Sequence, residues 1–482
     1  MEILEKLSSI FNKHNIYVCL CVLIILGGIF LRCVFLAYNR PLWNDEAALA
    51  LNILNRSNYF TPLDYSQAAP ALFMYLSKIT YIILNKSAIS LRIIPFFASV
   101  LSLFAFWKLS EKILVKRGGI LTSIFLFSFC YPLCYYAQEF KPYSLDVLIF
   151  VVTLLSYWYL DEFFESNVKK FIYLLGCILF CWLSFSFVFA IIPVIVAMFL
   201  YKKELKIKII PFICVLLING MVLFLSSFNL LKNAYLHDYW SSAFINKGFV
   251  HFINLFFSNV GYVFNSYLPA IVMFLSLLCC LKHYKDERLF LLLSPLCLSL
   301  VFSFFSIYPF STRCVLFLIP VFILLSLKFL DYIATKNIVS SKYLAVLVFV
   351  VLSIPSMLDS YSNILRKNYP VEDIANSLNI VSVEALPSDI VIISDGSEIL
   401  HEYYKHFIPL QQKAIFDGKR YSDDEAYVAH LNSLNKGTYY WVFAHHPNKL
   451  QRLNSVYLWA KTKKDFKVWH DNSGNALIRF SL

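Results

Sequence analysis

Trp43-Asn44-Asp45-Glu46-Ala47-Ala48-Leu49-Ala50 is the first polar stretch to follow a long apolar run, Ile16 to about Tyr38. That run has the roughly 20 residues a membrane-spanning helix needs. It exceeds the roughly 7–15 apolar residues of a cleavable signal sequence, so it is expected to stay in the protein. Lys6 and Lys13 precede it, which favours a cytoplasmic N-terminus. The stretch 43–50 then places two adjacent carboxylates where the chain leaves the lipid on the outer side. Asn44 suits an N-cap, with Asp45 and Glu46 in the first turn, where the helix dipole favours acids. Ala47, Ala50, Leu51 and Leu54 form an apolar face, and Asp45, Asn52 and Arg56 recur on another side at helical spacing.

Composition agrees with a membrane reading. Of 482 residues, 59% are hydrophobic and 15% charged, against about half and about a quarter in soluble domains. The net charge of +12 is read as a positive-inside bias rather than a nucleic-acid surface, because Lys and Arg gather in short connectors between apolar runs. Eleven spans are expected, at about 16–38, 89–107, 119–136, 142–160, 171–186, 188–200, 209–228, 261–281, 289–307, 314–330 and 343–358. The loop 39–88 reads as amphipathic surface helices broken at Pro62 and Pro70, and 229–260 as an external, aromatic-rich segment. The twelve Cys lie between Cys19 and Cys314, within or beside spans, and read as small apolar residues. The remainder, 360–482, is polar, with strands expected near 389–396, 439–444 and 476–480 and helices near 372–378 and 397–407. The fold class is therefore a polytopic α-helical membrane protein of about 11 transmembrane helices. Residues 1–359 form its membrane domain, and 360–482 a small C-terminal α/β domain outside the membrane.

Asp45 and Glu46 can do acid–base work, bind a cation, or cap a helix. A second polar cluster, Tyr136, Glu139, Lys141, Tyr143 and Asp146, surrounds the start of the fourth span. Asp146 lies about a turn inside that span, where an ionisable side chain implies a function or an interior polar contact. Arg313, at the mouth of the tenth span, can anchor a helix end or hold phosphate through a bidentate guanidinium. His237 and Asp238 can position a substrate or be solvated loop polars. Ser394-Asp395-Gly396-Ser397 does not make a dinucleotide fingerprint, and His401, His406, His445 and His446 lack zinc-protease spacing.

Several short motifs share an order. Trp43-Asn44-Asp45-Glu46-Ala47 stands in the first external loop. Tyr65-Ser66-Gln67-Ala68-Ala69-Pro70-Ala71-Leu72-Phe73 precedes the second surface helix, and Ser90-Leu91-Arg92-Ile93-Ile94-Pro95 opens the second span. Tyr135-Tyr136-Ala137-Gln138-Glu139-Phe140-Lys141-Pro142-Tyr143 precedes the fourth span, and Thr312-Arg313-Cys314 begins a late one. Together, over about 16–330, they resemble the GT-C fold membrane glycosyltransferases. The likeness is to the RgtA/B/C/D-like branch, related to protein O-mannosyltransferases and the lipid A aminoarabinose transferase. The pattern departs at Cys314, where Tyr is common, and at Ala68-Ala69-Pro70, where a basic residue or a second Pro is common.

The resemblance implies an inverting transfer of a hexosyl or pentosyl group from a polyprenyl-phosphate carrier to a cell-envelope glycan, lipid or protein. It implies Asp45 as the base and Glu46 as its support, with Gln67, Tyr136, Glu139, Lys141, Tyr143, Asp146, His237 and Arg313 binding substrate. A divalent cation, if one is used, falls to Asp45, Glu46 or Glu139; no cofactor is otherwise expected. The expected setting is the bacterial cytoplasmic membrane, N-terminus inside and C-terminal domain extracytoplasmic, with membrane lipids and no nucleic acid as partners. A transporter or flippase of lipid-linked sugars would favour repeated halves and midplane polar residues, and no repeat is seen. A non-catalytic membrane assembly protein would have no need of Asp45.

Overall fold

The computed structural model describes residues 13–231, 233–267, 270–274, 286–335, 341–367, 372, 374–394, 396–416, 424–444, 450–470 and 475–482. The chain divides by its packing into two compact units. Asn39–Ser57 and Tyr369–Leu482 make one, and the rest of the chain the other. Residues 39–57, read from sequence as part of the surface loop of the membrane domain, thus share a unit with the C-terminal chain.

The larger unit is helical. Among its described residues four helices are long and apolar enough to cross a membrane: His14–Ala37, Ala88–Ile113, Tyr143–Phe163 and Glu287–Phe304. The 24 residues of the first rise about 36 Å, enough for a hydrocarbon core of about 30 Å. Shorter apolar helices accompany them, among them Arg117–Phe129, Phe185–Tyr201, Phe249–Phe264 and Leu316–Lys328. Leu23, Phe30, Phe97, Leu101, Phe171 and Leu217 are exposed, as lipid-facing side chains of a multi-pass body are.

Several ends differ from the expected ones for local reasons. The third span, expected over 119–136, breaks at Cys130 into Arg117–Phe129 and Tyr131–Tyr136. Pro132 lacks an N–H and its ring collides with the preceding turn, so a continuous helix cannot pass. The eighth span, expected over 261–281, is instead preceded by a helix Phe249–Phe264. That helix stops at Asn265 in the left-handed conformation, φ 49°. Of the rest of the expected span, 268–269 and 275–281 lie outside the described residues.

The first span is clamped to its neighbours. Arg32, fully buried, donates from Nε to Ser99 Oγ at 2.7 Å and from Nη1 to the carbonyls of Gly28 and Ser128, each at 2.9 Å. A guanidinium inside a bundle needs such acceptors, since an unpaired buried charge is very costly. Gly28 permits the approach: a Cβ there would stand 2.8 Å from Ser128 Cβ and 3.0 Å from the Ser128 carbonyl oxygen.

The smaller unit holds a five-stranded mixed sheet of order β2-β1-β3-β5-β4. Its strands are β1 Ile390–Ile393, β2 Lys413–Phe416, β3 Thr438–Ala444, β4 Lys464–His470 and β5 Asn475–Ser481. β1 pairs in parallel with β2 and β3, while β5 pairs antiparallel with β3 and β4. β1 and β3 are central and read as continuous apolar runs, as strands covered on both faces do. On one face Ile392, Tyr439, Trp441, Phe443, Ile478 and Phe480 pack with Tyr427, Leu431 and Val456 from the helices Asp424–Asn432 and Leu450–Ala460. Trp441 Nε1 donates to Tyr427 Oη at 2.8 Å, so the buried indole is satisfied. β4 is an edge strand, and its exposed Lys467 guards the edge. That lysine pairs with Glu384 at 3.1 Å and holds its carboxyl below the usual range.

Candidate active site

Asp45 and Glu46 open the helix Asn44–Asn55 of the smaller unit. The N-cap is Trp43, in extended backbone, and Asn44 is the first helical residue rather than the cap. Glu46 explains the shift. As third residue of the helix it turns back, and its Oε2 accepts from the Trp43 N–H at 3.4 Å, the return half of a capping box. The same oxygen lies 3.9 Å from Arg40 Nη2, and both side chains are buried. Asp45 is partly exposed. Asn52, expected beside Asp45, is buried and donates to its own helix at the Ala48 carbonyl, 2.9 Å away, and Arg56 is the half-buried C-cap. Two acceptors come from far along the chain. Asn44 N–H donates to Glu372 Oε2 at 2.8 Å, and Leu42 N–H to Tyr404 Oη at 3.0 Å.

The second cluster sits in the larger unit, on the turn between Tyr131–Tyr136 and Tyr143–Ser156. The turn is closed by the Gln138 N–H to Tyr135 at 3.0 Å, the Lys141 N–H to Glu139 at 2.7 Å and the Asp146 N–H to Pro142 at 2.9 Å. Tyr136, Glu139, Lys141 and Asp146 are buried. Gln138 Nε2 donates to the Arg32 carbonyl at 3.0 Å, joining the turn to the first span. The Tyr136 and Tyr143 rings meet edge to face, 5.2 Å between centroids.

This turn holds two partners from elsewhere in the unit. Lys141 Nζ donates to Gln67 Oε1 at 2.6 Å. Asp146 Oδ1 accepts from Ser184 Oγ at 2.5 Å, and Ser184 is 2.9 Å from Ser186 Oγ. These serines lie where Asn167–Leu183 gives way to the 3-10 turn Phe185–Phe187. The buried carboxylate of Asp146 thus has hydroxyl donors inside the bundle. A pocket lies beside these bonds, walled by Tyr59, Phe60, Pro62 and Gln67 on one side and Trp182 and Phe185 on the other.

Arg313 and His237 are tied to a third place in the same unit. Arg313 Nη2 donates to Tyr239 Oη at 3.1 Å, and its guanidinium lies 4.8 Å from the Trp240 ring centre. The exposed His237 stands against Phe244, rings 5.4 Å apart. The two loops are sewn together by Phe310 N–H to the Ala243 carbonyl at 2.9 Å and Asn246 Nδ2 to Ser306 Oγ at 2.8 Å.

Of the residues singled out in the sequence, then, Gln67 joins Lys141 and Tyr136 joins Tyr143, while Asp45 and Glu46 belong to the other unit. Arg40, Ser184, Glu372, Tyr404 and Trp240 were not singled out in the sequence as their partners. Only Arg40 carried a local clue, standing six positions before Glu46. Among the described residues no three His, Cys, Asp or Glu side chains are grouped to hold a metal ion.

No protein-family model and no curated protein matches the sequence. Solved structures do share the architecture, and they define it as the GT-C fold. ArnT from Cupriavidus metallidurans, in its apo state, aligns over 97% of this chain and 98% of its own, with TM-score 0.53 and 11% identity. The same protein bound to undecaprenyl phosphate aligns over 96% and 98%, with TM-score 0.54 and 12% identity. Archaeal oligosaccharyltransferase AglB from Archaeoglobus fulgidus, in complex with an inhibitory peptide and a dolichol-phosphate, aligns over 97% and 74%, with TM-score 0.56 and 11% identity. At these identities the likeness is one of fold.

Proposed function

We propose that the chain is an inverting glycosyltransferase that moves a sugar from a polyprenyl-phosphate carrier to a cell-envelope glycan, lipid or protein. The observation that carries this reading is a fold shared over nearly the whole of this chain with ArnT bound to undecaprenyl phosphate and AglB bound to a dolichol-phosphate. The proposed topology has eleven spans, a cytoplasmic N-terminus, and the smaller unit on the outer face of a bacterial cytoplasmic membrane.

Asp45 takes the proton of an acceptor hydroxyl as that oxygen attacks the anomeric carbon. The bond from that carbon to the carrier phosphate breaks, and the polyprenyl phosphate leaves with the electron pair. Positive charge develops at the sugar and negative charge on the leaving phosphate. Lys141 and Arg313 are assigned to the phosphate, where cations in a water-poor site act most strongly. Gln67, bonded to Lys141, fixes the ammonium. Tyr136, Tyr143, Asp146 and Glu139 shape the donor site, His237 contacts the sugar, and Glu46 holds the start of the Asp45 helix through Trp43 and Arg40.

The test is to purify the full chain and Asp45→Asn and assay both with a panel of polyprenyl-phosphate sugars and membrane acceptors. Loss of a general base costs about 10²–10⁴-fold in rate. Wild-type protein that transfers from no donor, or a variant as active as wild type, overturns the reading. Flux of lipid-linked sugar across proteoliposomes without transfer would mark a transporter instead.

A further inference from the structure

We infer that Glu372 and Tyr404 are positioning residues for the Asp45 carboxylate, so that the C-terminal chain is part of what makes the base competent. This rests on the reading of Asp45 as the base. A helix begins with N–H groups that have no acceptor within the helix. Here the N–H groups of the N-cap Trp43 and of Asn44 are taken by Glu46 Oε2 at 3.4 Å and Glu372 Oε2 at 2.8 Å, and that of Leu42, just before the cap, by Tyr404 Oη at 3.0 Å. Two of these acceptors lie 362 and 328 positions away in the sequence. Only Glu46 is local, and a local cap fixes the shape of a helix start but not its place.

The placement comes from the distant pair. Leu42 and Asn44 flank the N-cap, and Asp45 follows directly on Asn44. The helix Glu398–Tyr404 lies against Asn44–Asn55 with Leu400 and Tyr403 buried, as are Ala47, Ala48 and Leu51 of its neighbour. The Tyr404 ring is set edge-on to Tyr403 at 5.1 Å. The Glu372 carboxylate also stands where a helix N-terminus attracts negative charge. Moving either acceptor moves the backbone that carries Asp45. A base displaced by about 1 Å can lose about 100-fold in rate.

The experiment uses the full chain and a donor that wild type accepts in the polyprenyl-phosphate-sugar panel. It compares Glu372→Ala, Glu372→Gln and Tyr404→Phe, and counts folded sites by the undecaprenyl phosphate bound per protein. Glu372→Ala and Tyr404→Phe should lower kcat by about 10–100-fold at unchanged donor KM and unchanged lipid stoichiometry. Glu372→Gln keeps an acceptor oxygen for Asn44 and should return kcat to within about threefold of wild type. The inference is overturned if the Ala and Phe variants match wild type, if kcat falls only in step with bound lipid, or if Gln is as impaired as Ala. Wild-type protein that transfers from no donor overturns the reading of Asp45 itself, which is a different result from active wild type with indifferent variants.

Discussion

The two stretches that carry the charged residues are built by opposite means. Residues 135–146 form a short turn whose backbone bonds are local and whose side chains are held by the surrounding spans: Gln67 for Lys141, Ser184 for Asp146, and the Arg32 carbonyl for Gln138. Residues 39–57 cross from one span toward the next yet draw their acceptors from positions 372 and 404. One charged stretch is held by the helical bundle around it, the other by the α/β unit. A defect in the smaller unit should therefore unseat Asp45 and leave Lys141 where it is.

Leu51→Ala tests that separation most severely. Leu51 is fully buried in the Asn44–Asn55 helix, and removing such a side chain costs about 2–5 kcal/mol. Hydrogen exchange on the full chain should rise together over 44–55 and over β1 and β3, while Tyr143–Ser156 keeps its protection. Unchanged exchange in β1 and β3 would break the assignment of this helix to the α/β unit.

Lys141→Met probes the other stretch. An ionised hydrogen bond in a buried site is worth about 1.5–3 kcal/mol, so undecaprenyl phosphate should bind about 10–100-fold more weakly. Gln67→Leu should weaken it less than Lys141→Met does, because the ammonium remains and loses only the amide oxygen 2.6 Å away. Equal affinity for wild type and Lys141→Met in a lipid titration would remove Lys141 from the phosphate.

Within the bundle, Gly28→Ala should cost about 1–3 kcal/mol by overpacking. Its new Cβ would meet Ser128 backbone atoms at 3.0 and 3.2 Å, which cannot move without shifting a helix. Gly27→Ala meets the tip of the Phe129 ring at 2.9 Å, and a ring can turn aside, so its melting temperature should fall less. Equal losses would show that the ring is as fixed as the backbone.

The two regions also differed in what their sequence disclosed. Spans are written in long apolar runs, and the hairpin expected at 171–186 and 188–200 is found as Asn167–Leu183 and Val188–Tyr201. β1 and β3 were legible for the same reason, being uninterrupted apolar runs. β2 was not, because Lys413-Ala414-Ile415-Phe416 is short and has no alternation. β4 was not, because Lys464-Asp465-Phe466-Lys467-Val468-Trp469-His470 carries the charges an edge strand needs. Asp45, Lys141 and Asp146 stood out because charge next to lipid is unusual. Their partners did not: Ser184 and Tyr404 are ordinary residues until tertiary structure brings them within hydrogen-bond distance. The grouping of 39–57 with 369–482 was hidden likewise, since no local pattern encodes a bond spanning 328 positions.

The mildest test of the grip on the Asp45 helix is acid. His401 is buried in Glu398–Tyr404, and burial, then the charge of Lys405, pushes its pKa below the ordinary value, with Glu402 opposing. The unfolded chain takes up a proton as pH falls through about 6.5, while the folded chain does so only at lower pH. Stability from the neutral imidazole is thus complete above that range and is lost as pH falls through it toward the folded value. One such group is worth at most about 1.4 kcal/mol per pH unit. Melting of the full chain should drop between about pH 7.5 and about pH 5.5, with exchange rising first over 398–404 and 44–55. His401→Gln should flatten that drop. A slope the substitution leaves unchanged would shift the acid sensitivity to another group and leave the hold on Asp45 indifferent to protonation at this helix.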